Sequence, residues 1–290
     1  MKKILIAALL LASAIPALAA TPIPSGRWSF VFTDQKGRPD RPIRVYTYRG
    51  KKCDSDCPML FLMSGEKRNA YDYLAMWDYV ADRNNLILVA PEFLKDRWPK
   101  AAGYQLGDLG EKVGREQTSY AAIEHLFDEI RTTQKDYMIF GHSAGAQFVQ
   151  RMAFLRPDNR ASVMVLGNPG WFLMPEWRKD KGAMPYPHSL VESPMPAGDD
   201  AVRAALAKKV ILLVGDNDAE PDSENLNANA AGKKLGESRM DRGENFIKAA
   251  TTAAGELGVK LGWQLSEMPA TVQDAQGVSR AASDQLGLKR

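Results

Sequence analysis

The sequence predicts an α/β fold: a mostly parallel central sheet flanked by helices, with a lid-like insertion. Three observations carry this prediction. Short β-prone runs alternate with segments of helical spacing along the chain, which is the pattern of a sheet covered on both faces. The run Met59 to Met63 is apolar throughout, as in a strand buried on both sides. The run Tyr137 to Phe140 passes through Gly141-His142-Ser143-Ala144-Gly145 directly into a helical pattern with Phe148, Met152 and Leu155 on one face.

The first twenty residues read as an export signal rather than as fold. Lys2 and Lys3 form a basic start, Ile4 to Leu11 an apolar stretch too short to span a membrane, and Ala17-Leu18-Ala19 a small-x-small cleavage site. Residues 1–19 are therefore expected to be removed, with 20–290 forming a single domain in the periplasm or the medium. Trp28 to Phe32 and Ile43 to Tyr48 read as two early strands at an antiparallel edge. Met59 to Met63 follows, then a helix from Tyr71 to Ala81 with Leu74, Trp77 and Val80 in line, then the strand Leu86 to Ala90.

A polar loop with Gly103, Gly107, Gly110 and Gly114 comes next. It lacks the lysine-serine or lysine-threonine pair of a phosphate loop, so its glycines are expected to serve flexibility. The helix Thr118 to Thr132 puts Tyr120, Ile123, Phe127 and Ile130 on one face, which leaves His125 on the opposite, solvated one. After the Ser143 helix come a strand from Ala161 to Leu166 and a long irregular segment, about 170–199, rich in Trp, Pro and Met. A segment of that length and composition is expected to act as a lid over a site. Strand Lys209 to Val214, a helix from about Gly243 to Leu257, strand Leu261 to Glu267 and a helix from about Gly277 to Gly287 complete the chain.

Composition narrows the partners. The 38 basic and 35 acidic residues nearly balance, and loss of Lys2 and Lys3 brings them closer still. No nucleic-acid or membrane-surface partner is implied, and no membrane span. The two cysteines, Cys53 and Cys57, are expected to pair in a small loop in an oxidising compartment. They have no further soft or imidazole ligands nearby, so neither a metal site nor a cofactor is expected.

The strand-turn-helix passage at Ser143 fits the G-x-S-x-G nucleophile elbow. A sharp turn there packs backbone against backbone, so 141 and 145 admit only small residues. The serine hydroxyl then stands above the sheet, beside helix amides that can hold a developing oxyanion.

Around this elbow the chain resembles secreted poly(3-hydroxybutyrate) depolymerase-like esterases of the α/β-hydrolase superfamily. The resemblance rests on Phe61-Leu62-Met63-Ser64-Gly65, Val89-Ala90-Pro91-Glu92-Phe93, Gly141 to Gly145, Asn168-Pro169-Gly170-Trp171, Pro185-Tyr186 and Gly215-Asp216-Asn217-Asp218, in the family's order. It implies Ser143 as nucleophile and Asp218 as acid, with Asp216 the other candidate acid. The family's His-Gly after the Met63 strand is Ser64-Gly65-Glu66 here, but backbone amides do not depend on side-chain type, so those of Ala144 and Glu66 are expected to form the oxyanion hole, with Trp171 and Tyr186 as contacts for a small or polymeric ester-like ligand. The family places a histidine in the loop after the last strand, and this chain has Gln273 there.

An amide side chain accepts a hydrogen bond but cannot shuttle a proton, so serine activation is compromised. Only three histidines occur. His142 adjoins the serine, and neighbouring residues at such a turn point apart; His125 is expected in solvent; His188, in the lid-like segment, is the remaining substitute base. The expected function is an exported esterase-like hydrolase with altered or impaired catalysis. The alternative is a catalytically silent fold that binds a ligand or a partner.

Overall fold

The computed structural model describes residues 22–110, 112–180, 182–195, 197–215, 230–268 and 274–290. The expected signal residues and the positions Asp216, Asp218 and Gln273 lie outside them. Eight strands form one sheet: β1 (Gly26–Phe32), β2 (Ile43–Arg49), β3 (Met59–Met63), β4 (Ile87–Glu92), β5 (Tyr137–His142), β6 (Ala161–Gly167), β7 (Val210–Gly215) and β8 (Trp263–Met268). Their order is β1-β2-β4-β3-β5-β6-β7-β8. β1 and β2 pair antiparallel at one edge, β2 meets β4 antiparallel, and every other pair is parallel.

Side chains alternate across each strand and build two cores. Met59, Phe61 and Met63 of β3 face one core, and Leu60 and Leu62 the other. Helices α1 (Ala70–Asn84) and α7 (Ala275–Gln285) cover the second face through Leu74, Trp77, Val80, Val278 and Ala282. Helices α2 (Ser119–Ile130), α3 (Ala144–Leu155), α4 (Asp199–Ala207) and α6 (Arg239–Glu256) cover the first, with the short α5 (Ala230–Leu235) preceding α6. Because β4 lies outboard of β3, the carboxyl ends of β3 and β5 are neighbours, paired to Met63 and Gly141.

Two expectations are corrected. His125 is not solvated. It is 7% exposed and its Nδ1 lies 2.8 Å from a carboxylate oxygen of Asp34, itself 2% exposed, while its Nε2 lies 2.9 Å from Glu116. Helical spacing alone put it on an outer face, but the β1–β2 loop and the turn at Arg115–Gln117 fold over that face.

The glycine-rich loop is also pinned rather than free. Arg68 donates to the carbonyls of Phe93, Trp98 and Lys100 and stacks over Tyr104 at 4.1 Å. The Tyr104 hydroxyl donates to Ser64 O. A Cβ on Gly107, whose φ is +87°, would stand 2.3 Å from the Tyr120 ring. Close approach, not mobility, selects glycine there.

His125 carries a pH prediction. Burial pushes its pKa down, but Asp34 and Glu116 outweigh burial and leave it raised above the ordinary imidazole value. A raised folded-state pKa stabilises fully below the unfolded value of about 6.5 and is lost as pH climbs through the folded value. Native stability is therefore expected to fall as pH rises above about 6.5. His125→Gln should flatten that slope and cost about 1–3 kcal/mol at pH 6, because the Asp34 carboxylate loses its charged partner. Urea midpoints measured across this range decide it, and an unchanged slope in the variant would reject the assignment.

Candidate active site

The passage from β5 to α3 has the geometry that the motif requires. Ser143 sits between them at φ 53° and ψ −112°, a conformation costly for any residue with a Cβ. Its N–H donates to Gly167 O at the end of β6, 2.8 Å away. A Cβ on Gly141 would lie 2.3 Å from Gly145 O, and one on Gly145 only 2.1 Å from Met63 O. The first turn of α3 therefore rests on the backbone at the end of β3.

Two amides are left over at this junction. Ala144 opens α3, where the first N–H groups have no acceptor within the helix. Glu66 follows β3, and among the described residues its N–H makes no hydrogen bond. The Glu66 side chain is exposed. The neighbouring Gly65 N–H is occupied, donating to the Tyr73 hydroxyl at 3.2 Å.

The histidines divide differently. His142 is buried, with Nδ1 2.7 Å from the Tyr73 hydroxyl, and burial pushes its pKa down to about 4. It is a neutral ring engaged through Nδ1, with Nε2 unpartnered among the described residues. His188 packs its ring against Trp171 at 5.0 Å, and its pKa is lowered by burial and by the nearby Arg151 and Arg242. Among the described residues no hydrogen bond reaches the Ser143 hydroxyl, from His188 or any other side chain. None of them form a group of His, Cys, Asp or Glu suited to a metal ion.

The insertion between β6 and α4 is fastened down at several points. The Gln150 amide both donates to Leu173 O and accepts from Leu173 N–H. Arg151 donates to Pro187 O and stacks over Trp171 at 4.5 Å, and the Tyr186 hydroxyl donates to Leu106 O. Phe172 and Leu173 are buried in the core. Trp171 and Tyr186 thus frame the insertion, each partly buried. A cavity of about 560 Å³ lies between Trp177 and the Ala249–Ala253 side of α6, and Ser143 does not line it.

No family model matches the chain, and no curated protein does. Solved structures match strongly. Poly(aspartic acid) hydrolase-1 from Sphingomonas sp. KT-1 is 31% identical over 90% of this chain and 98% of its own, with a TM-score of 0.83. The chain belongs to the depolymerase-like α/β-hydrolases.

A poly(3-hydroxybutyrate) depolymerase from Bordetella parapertussis is 28% identical over 91% of this chain and 90% of its own, also at a TM-score of 0.83. An S-formylglutathione hydrolase from Agrobacterium tumefaciens, 15% identical at a TM-score of 0.56, shares the fold alone.

Around the candidate site the structure gives several residues roles that the sequence did not assign. Asn168, at φ 46°, accepts the Gly215 N–H through its side chain while its own N–H donates to Leu213 O, so it ties the end of β6 to the end of β7. Arg239 and Arg242, both buried, open α6 one turn before its expected start; Arg239 is near enough to lower the His142 pKa. Ser238 and Asp241 cap each other's N–H at that start, a signal legible as Ser-x-x-Asp. Tyr73 could have been noticed as a hydroxyl inside an apolar helix stripe, where it must find a partner.

Proposed function

We propose that the protein is an exported serine hydrolase for carboxylic acid derivatives, with Ser143 as nucleophile, Asp218 as acid and the amides of Ala144 and Glu66 as oxyanion hole. The observation that carries this reading is the strained Ser143 between two unoccupied amides. Attack of the Ser143 oxygen on a substrate carbonyl carbon would form an acyl-enzyme, and the leaving group would depart with a proton. Water would then release the acid. Gln273 cannot relay either proton, so both steps run slowly.

The substrate class follows from the relatives and from local charge. The two most similar structures reported above are named for polymers, poly(aspartic acid) and poly(3-hydroxybutyrate). Burial and then the nearby Arg151 and Arg242 lower the pKa of His188, so the insertion side of the site carries positive charge, whereas at His142 the pull of Asp274 exceeds that of Arg239. That positive charge favours a polymer bearing carboxylates over a neutral polyester. Trp171 and Tyr186 would contact the chain. A silent, ligand-binding role is the second reading, and the glutamine at 273 favours it.

Fluorophosphonate labelling and p-nitrophenyl butyrate turnover test the nucleophile, with poly(aspartate) and poly(3-hydroxybutyrate) as the polymer arms. Slow labelling that vanishes in Ser143→Ala is expected, with poly(aspartate) preferred. Turnover that survives Ser143→Ala would defeat the assignment. Tight polymer binding with no labelling at all would establish the silent fold.

A further inference from the structure

Three polar groups at the mouth of the sheet form one chain of hydrogen bonds that no step above uses. Tyr73 projects from α1 and is 3% exposed; His142 ends β5 and is 5% exposed. The Tyr73 oxygen accepts the Gly65 N–H at 3.2 Å and lies 2.7 Å from His142 Nδ1. A phenol has one proton to give. The Gly65 N–H is itself a donor and cannot accept that proton, so the acceptor left for it is Nδ1. The ring then holds its own proton on Nε2, which is buried and has no hydrogen-bond partner among the described residues. That tautomer is inferred from the hydrogen-bond network.

The local backbone explains why such a bridge is needed. Pairing between β3 and β5 stops at Met63 and Gly141. Beyond it α3 occupies the space, since a Cβ on Gly145 would meet Met63 O at 2.1 Å and Ser64 O at 2.8 Å. Gly65 N–H therefore has no strand partner. Left unpaired in a buried place, it would carry the desolvation penalty of an orphan donor. The phenol supplies the acceptor from one side, and the imidazole of the neighbouring strand holds the phenol from the other. A Cβ on Gly65 would stand 3.2 Å from the phenol oxygen and 3.8 Å from Nδ1, so the chain is confined between them.

Gly65 immediately precedes Glu66, and His142 immediately precedes Ser143 and Ala144. We propose that Tyr73 is a positioning residue: bonded to both Gly65 N–H and His142 Nδ1, it fixes the Glu66 and Ala144 amides in one mutual register so that both meet the same oxyanion. This rests on Ser143 being the nucleophile. The phenol itself touches no reacting atom. Its contribution is to keep a donor aimed at charge that develops only in the transition state, which affects kcat rather than substrate binding.

The decisive comparison is Tyr73→Phe, which keeps the ring and removes the oxygen. Hydrogen exchange in the otherwise native chain needs no turnover: peptides covering 64–68 are expected to exchange about tenfold faster, with those covering 144–155 unchanged. In a Gln273→His background, kcat for p-nitrophenyl butyrate is expected to fall about 10–100-fold with KM within about twofold, less than the full loss of one oxyanion donor. His142→Gln, whose amide oxygen can accept the phenol proton, should retain about tenfold more kcat than His142→Leu. That pair also decides the matter if Tyr73→Phe fails to fold. Unchanged exchange with unchanged kcat in Tyr73→Phe, or equal rates for the two His142 variants, would overturn the proposal. If instead Ser143→Ala retains activity, the nucleophile reading fails, and exchange at 64–68 still reports separately on Tyr73.

Discussion

Replacing Gln273 by histidine is expected to raise ester turnover by about three orders of magnitude or more. The scale comes from serine proteases, where deleting one member of the triad removes about 10⁴–10⁶ of kcat and leaves only the oxyanion hole and binding. Everything except the base has a candidate here: Ser143, two unoccupied amides, and Asp216 or Asp218 after β7. Residue 273 directly precedes Asp274, which caps α7 by accepting the N–H groups of Gln276 and Gly277. Asp274 is also near enough to His142 and to Tyr73 to raise both of their pKa values.

A histidine at 273 would restore the residue type that the resemblance places there, next in the chain to Asp274. The sign of its pH dependence is fixed: a general base works unprotonated, so the gained activity should rise with pH and level off above the imidazole pKa. Steady-state assays from pH 5 to 9 on native, Gln273→His and Gln273→His/Ser143→Ala proteins read this out. If the native chain already turns over as fast as the variant, a base other than residue 273 operates. Loss of that activity in His188→Ala would then make the histidine against Trp171 the base.

The sequence disclosed the fold more fully than the site, for a physical reason. Strands and helices show in side-chain periodicity that burial enforces directly, and β3, β5 and the antiparallel edge appear where Met59 to Met63, Tyr137 to Phe140 and the two early runs placed them. Ser143 was legible because its turn constrains the identities at 141 and 145. The residues that join elements were not. His125 depended on Asp34 and Glu116 arriving from distant parts of the chain, and Tyr73 on meeting Gly65 and His142 from two strands. Such pairings are tertiary contacts with no local period. Helices α4 and α5 were missed because short helices next to irregular segments show too few turns to establish a spacing.

Gly145→Ala is expected to destabilise the protein by about 3 kcal/mol or more and to abolish labelling of Ser143. One added methyl group usually helps a helix, because alanine has less freedom to lose on folding than glycine. Here it meets Met63 O at 2.1 Å, Met63 C at 2.6 Å and Ser64 O at 2.8 Å, all backbone atoms at the end of β3 or just past it, where Met63 is paired to Gly141 of β5. None of them can rotate away as a side-chain tip could. Relief requires α3 to lift off β3, which moves Ala144 away from Glu66 and relaxes the φ of +53° that holds the serine outward.

Gly255→Ala is the internal control. It lies in the last turn of α6, where an added Cβ has no neighbour within 4 Å. The same chemical change there should stabilise by about 0.4–1 kcal/mol. Urea unfolding of both variants, with fluorophosphonate labelling in parallel, separates steric exclusion from helix propensity by the opposite signs expected. A Gly145→Ala loss below about 1 kcal/mol with normal labelling would mean that the helix does not bear on the strand end, and the account of how this chain strains Ser143 would be wrong.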